Sequence, residues 1–413
     1  MRDATRRLSQ TARDQTMASI VTDTVRSTSL ARLAIGWVFF ANGAALGSWV
    51  PHIPDAKHAL GLTDNLLGFA LLAMAIGSLV GLPLSGLLTA RFGSQKVTTA
   101  AILALLLATP LPLLAPSLPA FAAALVLLGM ANGAVDVAMN AQAIAVEIRF
   151  GRAIMSGLHG LFSVGGLVGA TVAASAMSAG IDAALHLLAA AALLFIATLA
   201  AIPFLLPTKP STRTAMLRLP RGPLLGLGAM VLCSLLAEGA IGDWSAVYLR
   251  DTLAAGAGYA AFGFAGFSLA MAAGRFSGDW LVRRYGGSAV LLVGAAIGAA
   301  LLALGLLAGQ PAAALLGFTA VGLGLANAVP ILFSAAGRIA GTPPELAIAA
   351  VSTAGYCGFL FGPPVIGIVG ERLGLGTGLG LVAVALAVVA IGAACTPPEG
   401  ARKRWMVSSS GGK

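Results

Sequence analysis

The chain has 413 residues, of which 58% are hydrophobic and only 10% are charged, and its mean hydropathy is +0.93. This composition excludes an ordinary soluble globular protein, in which about 25% of residues are charged. The net charge of +10 would suggest a nucleic-acid partner for a soluble protein, but here the basic residues flank apolar segments, where they act as topology signals beside anionic lipid. We therefore expect an integral membrane protein that contacts lipid and binds no nucleic acid.

Apolar segments recur along the whole chain. A helix of about 20 apolar residues crosses a bilayer, and proline, glycine and charge clusters divide the sequence into twelve such segments. The predicted fold class is therefore an all-α membrane protein with twelve transmembrane helices, spans 1 to 12. These spans are expected at residues 30–54, 66–89, 97–115, 119–146, 153–179, 183–206, 223–249, 258–282, 288–309, 312–337, 347–370 and 374–395.

The segments outside the spans predict the domain organisation. Residues 1–29 are rich in Arg, Ser and Thr without periodicity, so we expect a disordered cytoplasmic tail there and a second cytoplasmic tail at 397–413. The stretch 207–222, rich in proline, threonine and basic residues, is the expected linker. It would join an N-terminal six-helix bundle at 30–206 to a C-terminal six-helix bundle at 223–396.

The basic residues also predict the orientation. With the N-terminus in the cytoplasm, only Lys57, Arg250, Arg275 and Arg372 lie outside the cytoplasmic segments, which leaves 21 of the 25 Lys and Arg residues (25 minus 4) on the cytoplasmic side. Cytoplasmic loops of membrane proteins carry such an excess. We therefore expect both termini in the cytoplasm.

One sequence cassette occurs twice. It reads Gly81-Leu-Pro-Leu-Ser-Gly-Leu-Leu-Thr-Ala-Arg-Phe-Gly93 and again Gly274-Arg-Phe-Ser-Gly-Asp-Trp-Leu-Val-Arg-Arg-Tyr-Gly286, and the copies are 193 residues apart (274 minus 81). Because this offset is close to half the chain, it indicates two homologous halves, as in many secondary transporters. In the first copy, Gly77, Gly81 and Gly86 are expected to permit close approach of helices.

Polar residues inside the spans indicate where the chemistry lies, because such residues are costly in lipid and tend to face a cavity or a partner. They fall on every third span: Asn42 on span 1; Asn132, Asp136 and Asn140 on span 4; Glu238 and Asp243 on span 7; and Asn327 on span 10. The four-residue spacing in span 4 places its three polar side chains on one helical face. A carboxylate between two amides can hydrogen-bond solute hydroxyls and exchange a proton.

These positions predict a binding site with two roles. Asp136 and Glu238, both deep in the membrane, are the candidates for proton coupling. His159 of span 5 lies at the depth of Asn140 and could relay a proton, and Tyr356 of span 11 adds a hydroxyl. The candidate solute-binding residues are Asn42, Asn132, Asn140, His159, Asp243, Asn327 and Tyr356. For each, the alternative is a structural role in helix packing without a ligand.

The cassettes, of the form GxxxxGxLxxRFG, resemble the signature loops of the major facilitator superfamily, and the resemblance extends over essentially the whole chain. More narrowly, Asp136-Val-Ala-Met-Asn140 resembles a segment of fucose-permease-like proteins, and Ala237–Trp244 and Gly355–Pro364 resemble the YbjJ and MosC type of bacterial inner-membrane protein. The resemblance implies two pseudo-symmetric six-helix bundles in a bacterial inner membrane. It also implies a central cavity lined by spans 1, 4, 7 and 10, and a monomer.

The resemblance further implies a cytoplasmic gate at the signature loops, with roles for Arg91, Asp279 and Arg284. Arg275 lies four residues before Asp279, a spacing at which two side chains meet on one helical face. We therefore expect an ion pair between them, which adds Arg275 to the gate. The alternative for these arginines is anchoring at the lipid interface.

The expected function is transport. The four histidines show no metal-ligand spacing and no nucleophile with a base stands out, so we expect no enzyme, no metal and no cofactor. The sequence has no phosphate-binding loop of the form GxxxxGK[ST], so an ion gradient should drive transport, and the resemblance favours the proton. With carboxylates and amides at mid-depth, a neutral or cationic solute fits best. The leading hypothesis is proton symport of a sugar, polyol or amino-polyol; the alternatives are export of amphiphilic cations and a non-transporting receptor.

Overall fold

The computed structural model describes residues 28–152, 154–208, 220–339, 342 and 344–395. Those residues form twelve helices that are long and apolar enough to cross a membrane, and they contain no strand, which confirms the predicted fold class. The predicted tails and most of the predicted linker lie outside the described residues, except that residues 28 and 29, predicted as the end of the first tail, belong to the first helix. The helices are α1 Thr28–Ala59, α2 Asp64–Phe92, α3 Ser94–Leu114, α4 Leu118–Phe150, α5 Met155–Ser178, α6 Ala183–Phe204, α7 Leu224–Thr252, α8 Ala257–Tyr285, α9 Gly287–Ala308, α10 Pro311–Ala336, α11 Leu346–Leu373 and α12 Leu375–Ala394.

Successive helices run in opposite directions, so α1 begins and α12 ends at the same end of the molecule. We call this end the terminus face and the other end the opposite face. We call α1–α6 the N-terminal half and α7–α12 the C-terminal half. The predicted spans agree with these helices to within a few residues, and the largest differences are extensions.

Local sequence explains the extensions and breaks. Helix α1 passes through a 3₁₀ turn, Val50–His52, into a further helical segment, Ile53–Ala59, which continues beyond the predicted end at residue 54; each of these two segments has proline within its first two residues, where a missing N–H does no harm. In the C-terminal half, the corresponding helix α7 ends in a π-helical turn, Tyr248–Thr252. The helix α10 is interrupted between its segments Pro311–Leu325 and Ala328–Ala336.

Glycines bring helices of the N-terminal half into backbone contact. A Cβ on Gly43 of α1 would collide with the carbonyl of Phe162 on α5, and a Cβ on Gly81 of α2 would collide with the carbonyl of Met130 on α4. Such small-residue contacts let helices pack closely in lipid, where hydrophobic burial provides little attraction between them. The prediction is right for Gly77 and Gly81 but wrong for Gly86, which has no atom within 4 Å of a built Cβ.

The two cassettes end in the same backbone conformation. Gly93 has φ 84° and ψ 153°, and Gly286 has φ 83° and ψ 150°. This region is open essentially to glycine alone. The repeated loop therefore folds the same way in both halves, and it ends α2 and α8 at the terminus face.

The halves touch at the opposite face, and α5 and α8 remain in contact nearer the terminus face, where a Cβ on Gly160 would collide with the Phe276 ring. A Cβ built on Gly68 of α2 would lie 2.7 Å from the carbonyl oxygen of Pro363 on α11, and one on Gly258 of α8 would collide with the hydroxyl of Ser178 on α5. All four residues lie in the part of their helix nearer the opposite face. The molecule is therefore closed at that face.

Candidate functional site

A cavity of about 2050 Å³ lies between the two halves. Toward the opposite face its wall ends at residues such as Trp49 and Val50 on α1, and toward the terminus face it continues to Arg283, Arg338 and Cys395 at the ends of their helices. The cavity therefore opens to the terminus face. All nine residues predicted for solute binding and proton coupling line it: Asn42, Asn132, Asp136, Asn140, His159, Glu238, Asp243, Asn327 and Tyr356.

The polar stripe of α4 forms the centre of a hydrogen-bonded chain. Asn140 Nδ2 donates to Asp136 Oδ1 at 3.1 Å, and the Tyr356 hydroxyl on α11 donates to Asp136 Oδ2 at 3.4 Å. On the other side, His159 Nε2 lies 3.2 Å from Asn140 Oδ1, while Phe39 packs edge-on against the His159 ring with the centroids 5.2 Å apart. Asp136 thus accepts hydrogen bonds from both halves of the molecule.

Arg275 makes a second connection between the halves. Its guanidinium on α8 lies 3.6 Å from Glu238 Oε1 on α7, and its Nη1 donates to Ser163 Oγ on α5 at 2.7 Å and to the His159 carbonyl at 3.3 Å. The predicted ion pair between Arg275 and Asp279 is wrong: Asp279 is exposed, and no ion pair joins them among the described residues. The buried acceptors on α5 and α7 hold the guanidinium instead, because a largely buried cation requires a partner.

Asp243 has a different environment from the other carboxylates. It lies on α7 five residues beyond Glu238, about 7.5 Å closer to the opposite face by the helical rise, and it lines the same cavity as Phe264 and Phe267. Within the described part of the chain it makes no hydrogen bond or ion pair with another side chain. It is a carboxylate available to a solute.

Two of the predicted solute-binding amides contact other helices. Asn327 lies at the break in α10, and its Nδ2 donates to the carbonyl of Gly274 on α8 at 3.0 Å, so it joins two helices while lining the cavity. Asn42 is almost fully buried; its Nδ2 lies 3.8 Å from Met139 Sδ, and its Oδ1 has no hydrogen-bond partner. Asn42 therefore keeps a free acceptor at the cavity wall.

Of the residues predicted for the gate, Arg91, Asp279 and Arg284 lie toward the terminus face, and Arg275 lies deeper in α8. Asp279 and Arg275 line the cavity, whereas Arg91 and Arg284 are exposed outside it. Arg91 packs over the ring of its neighbour Phe92, 5.2 Å from the centroid. Because the molecule is open at this face, the structure does not bring these residues together across the halves, and their gating role remains a prediction.

Sequence reasoning missed a charged cluster at the opposite face. There Asp55 and Lys57 of α1 meet Arg250 and Asp251 of α7. Two histidines that lie far apart in the sequence are also in contact: His52 Nε2 lies 2.9 Å from His186 Nδ1. The described residues contain no group of three or more His, Cys, Asp or Glu side chains arranged to hold a metal ion.

Several known proteins are similar in sequence to this chain over most of its length. The model of the Major Facilitator Superfamily matches residues 33–344. An uncharacterised MFS-type transporter of Yersinia pestis is 40% identical over 334 residues, which cover 81% of this chain and 87% of that protein. The membrane protein MosC of Rhizobium meliloti is 35% identical over 349 residues, which cover 83% and 84%.

Solved structures share the architecture. The nucleoside transporter NupG superposes with a TM-score of 0.69 at 14% identity, covering 88% of this chain and 99% of that one. The fucose:proton symporter FucP of E. coli superposes with a TM-score of 0.60 at 18% identity, covering 90% and 98%. At these identities the likeness concerns the fold.

Proposed function

The chain belongs to the major facilitator superfamily, as its resemblance predicted, and from this membership we propose a secondary active transporter that works by alternating access. Its solute is a small neutral or cationic polar molecule, such as a sugar, polyol or amino-polyol, and a proton moves with it. One observation carries the proposal: the cavity between the halves is open to one face and contains a carboxylate, Asp136, that both halves hydrogen-bond.

Asp136 is suited to couple a proton to the solute. As a carboxylate it only accepts hydrogen bonds, whereas the protonated acid also donates one, so its bond with Tyr356 depends on its protonation state. That bond is long at 3.4 Å, which makes Tyr356 the weaker of its two partners. A solute hydroxyl that replaces Tyr356 would disconnect the halves at this point, and proton and solute would then affect the same contact.

Glu238 is the less suitable of the two proton-coupling candidates. Its carboxylate already contacts the Arg275 guanidinium at 3.6 Å, and this contact holds α7 near α8. At mid-depth, Arg275 is the single cation among the lining residues described, and Glu238 and Ser163 already bind it. An anionic solute would thus find no free counter-ion there, which supports a neutral or cationic one.

Asp243 favours a second candidate function, the proton-driven export of amphiphilic cations. Its carboxylate has no cation partner in the described structure, and the rings of Phe264 and Phe267 line the same cavity. Aromatic faces and a carboxylate together attract organic cations. Both candidates use the same cavity, and they differ in the solute and in the direction of movement.

For orientation, we propose that the terminus face lies in the cytoplasm of a bacterial inner membrane, on the strength of the positive-inside rule. The cavity would then be open to the cytoplasm. Closure of that face in the other half of the cycle is assigned to the loops after α2 and α8, with Arg91, Asp279 and Arg284 as the gate residues and Arg275 beneath them. We further propose that one chain is the working unit, since the cavity is built from a single chain.

A thermal-shift screen of the purified protein tests the solute. Sugars, polyols, amino-polyols and lipophilic cations would be compared in wild type, Asp136→Asn and Asp182→Asn. The control removes a carboxylate that caps α6 away from the cavity, and asparagine still caps. We expect a polyol to stabilise wild type and the control equally and Asp136→Asn less. Shifts that are the same in all three proteins would contradict the role of Asp136, and stabilisation by lipophilic cations alone would favour export.

A further inference from the structure

The opposite face is held shut by two reciprocal ion pairs between the halves. Asp55 of α1 pairs with Arg250 of α7, and Lys57 Nζ of α1 lies 2.7 Å from Asp251 Oδ2 of α7. Each half therefore contributes one carboxylate and one cation. Arg250 and Asp251 lie in the π-helical turn that ends α7, and such turns are frequent at functional sites.

A pair of imidazoles stands behind Asp55. His52 Nδ1 lies 2.7 Å from Asp55 Oδ2, and His52 Nε2 lies 2.9 Å from His186 Nδ1 on α6. His52 is fully buried and His186 is 6% exposed. The remaining ring nitrogen, His186 Nε2, is buried without a hydrogen-bond partner.

If both imidazoles are neutral, one placement of their hydrogens allows both hydrogen bonds, from His52 to Asp55 and between His52 and His186. His52 Nδ1–H donates to Asp55, and His186 Nδ1–H donates to His52 Nε2. His186 Nε2 is then a free lone pair. This nitrogen can accept one further proton. In the closed form, the negative charge of Asp55 is balanced by Arg250.

We propose that Asp55 exchanges its cation partner during transport: Arg250 when the opposite face is closed, and an imidazolium of the His52–His186 pair when it opens. This inference rests on the alternating access proposed above. Opening withdraws Arg250 with the C-terminal half and would leave Asp55 without a cation, which is costly for a carboxylate largely shielded from water. Imidazole is the side chain that gains charge most readily near neutral pH, and His52 is already bonded to Asp55.

The proton balance is simple. Water entering at the opened face carries a proton from the bulk solvent to His186 Nε2, and His186 passes its Nδ1 proton to His52 Nε2. His52 is then an imidazolium bonded to Asp55. On closing, Arg250 returns to Asp55 and the proton leaves by the reverse path, because two cations on one carboxylate repel each other. A proton that binds the open form selectively shifts the open-to-closed ratio toward the open form, by up to about tenfold per pH unit.

The other charged groups at this face act separately. Lys57 is held between Asp251 and Asp64, at 2.7 Å and 2.6 Å. His58 Nε2 lies 2.9 Å from Asp251 Oδ1 and is half exposed. A protonated His58 would tighten the contact between the halves, the reverse of the effect proposed for His52, so the test is made in a His58→Gln background.

Two further carboxylates, Glu371 and Asp182, and the exposed Arg372 also lie at the opposite face. Glu371 accepts from the backbone N–H of Asn65, and Asp182 accepts from the backbone N–H of Leu185 at the start of α6. Both carboxylates are occupied by backbone donors rather than by the imidazoles. The imidazole pair therefore has Asp55 as its acidic partner.

The test measures opening directly, without a solute. Spin labels at Ser117→Cys and Gln310→Cys report the distance between the halves at the opposite face; both positions are exposed, neither side chain makes a capping hydrogen bond, and they are related by the repeat offset (310 minus 117 is 193). The three native cysteines, Cys233, Cys357 and Cys395, are changed to alanine. Distance distributions by pulsed electron paramagnetic resonance are compared between about pH 5 and pH 8, the range in which imidazole titrates.

In the His58→Gln background, made together with Asp136→Asn so that the proposed proton site in the cavity does not contribute, the long-distance population should rise several-fold as the pH falls. Adding His52→Gln should abolish this response, and adding Asp55→Asn should give an open face whose population no longer follows pH. A pH response that persists in both variants, or is missing from the background protein, would overturn the proposal. A response to pH without proton-coupled solute movement would instead refute the proposed function and leave this inference standing.

Discussion

Gly68 offers a direct way to perturb closure of the opposite face. A Cβ at this position of α2 would lie 2.7 Å from the Pro363 carbonyl oxygen, 3.2 Å from Pro364 Cα and 3.3 Å from Gly367 Cα. All three neighbours are backbone atoms of α11, so no side-chain rotation relieves the contact. Carbon and carbonyl oxygen need about 3.3 Å, so the two helices would have to separate by about 0.6 Å at this contact.

We expect Gly68→Ala to shift the protein away from the observed state. Overpacking of this kind costs about 1–3 kcal/mol, which corresponds to a change of about 5- to 150-fold in the ratio of closed to open forms. The same spin-label pair, at 117 and 310, measures that ratio at constant pH. The substitution should increase the long-distance population while leaving the protein folded.

Two other glycines supply controls. Gly380 on α12 and Gly86 on α2 have no atom within 4 Å of a built Cβ, so alanine at either site adds no clash to the observed state. Gly86 is also 18 residues from Gly68, five helical turns, and therefore lies on the same face of α2. An unchanged distance distribution in Gly68→Ala, or an equal shift in Gly380→Ala, would refute the reasoning.

Three further outcomes follow from the site and the loops. Glu238→Gln and Arg275→Gln should each destabilise the protein by about 3 kcal/mol, because each leaves a largely buried charge unmatched, while the double variant should recover most of the loss; additive losses in thermal melts would contradict the pair. Gly286→Ala should cost about 1–3 kcal/mol because only glycine tolerates its backbone conformation, and an unchanged melting temperature would contradict this. Asp243→Asn should lower binding of organic cations about 10- to 150-fold and leave neutral polyols unaffected, since a charge-assisted contact contributes about 1.5–3 kcal/mol; equal losses for both solutes, measured by titration, would contradict the assignment.

The fold could be predicted from sequence because lipid restricts the possibilities. A chain in a bilayer must satisfy its backbone groups within helices, so the apolar segments gave the helices to within a few residues. The cassette at an offset of 193 gave the repeat, and the matching φ and ψ angles of Gly93 and Gly286 agree with it. The extension of α1 was missed because Asp55 and Lys57 appeared to end an apolar segment.

The site was predictable where one helix determines it. The spacing of Asn132, Asp136 and Asn140 fixes a shared helical face, and all three line the cavity. Contacts between side chains on different helices were harder to predict from the sequence. The i,i+4 rule paired Arg275 with Asp279 because it considers a single helix, whereas the guanidinium turns toward acceptors on α5 and α7.

The cluster at the opposite face could not be recognised from local pattern. Its charges resemble ordinary flanking residues, and the ion pairs join positions 195 and 194 residues apart (250 minus 55, and 251 minus 57). The signal present in the sequence was reciprocity: an acid and a base near the end of span 1 recur with their order reversed near the end of span 7. The repeat offset would have suggested comparing those two segments.

Proton movement driven by solute tests the central claim most directly. Purified protein in liposomes that enclose a pH-sensitive dye would receive a gradient of the polyol identified by thermal shift, with no other ion gradient. We predict a change in internal pH with wild type and with Asp182→Asn, and none with Asp136→Asn. Solute entry without a pH change in wild type, or an undiminished pH change in Asp136→Asn, would contradict the account.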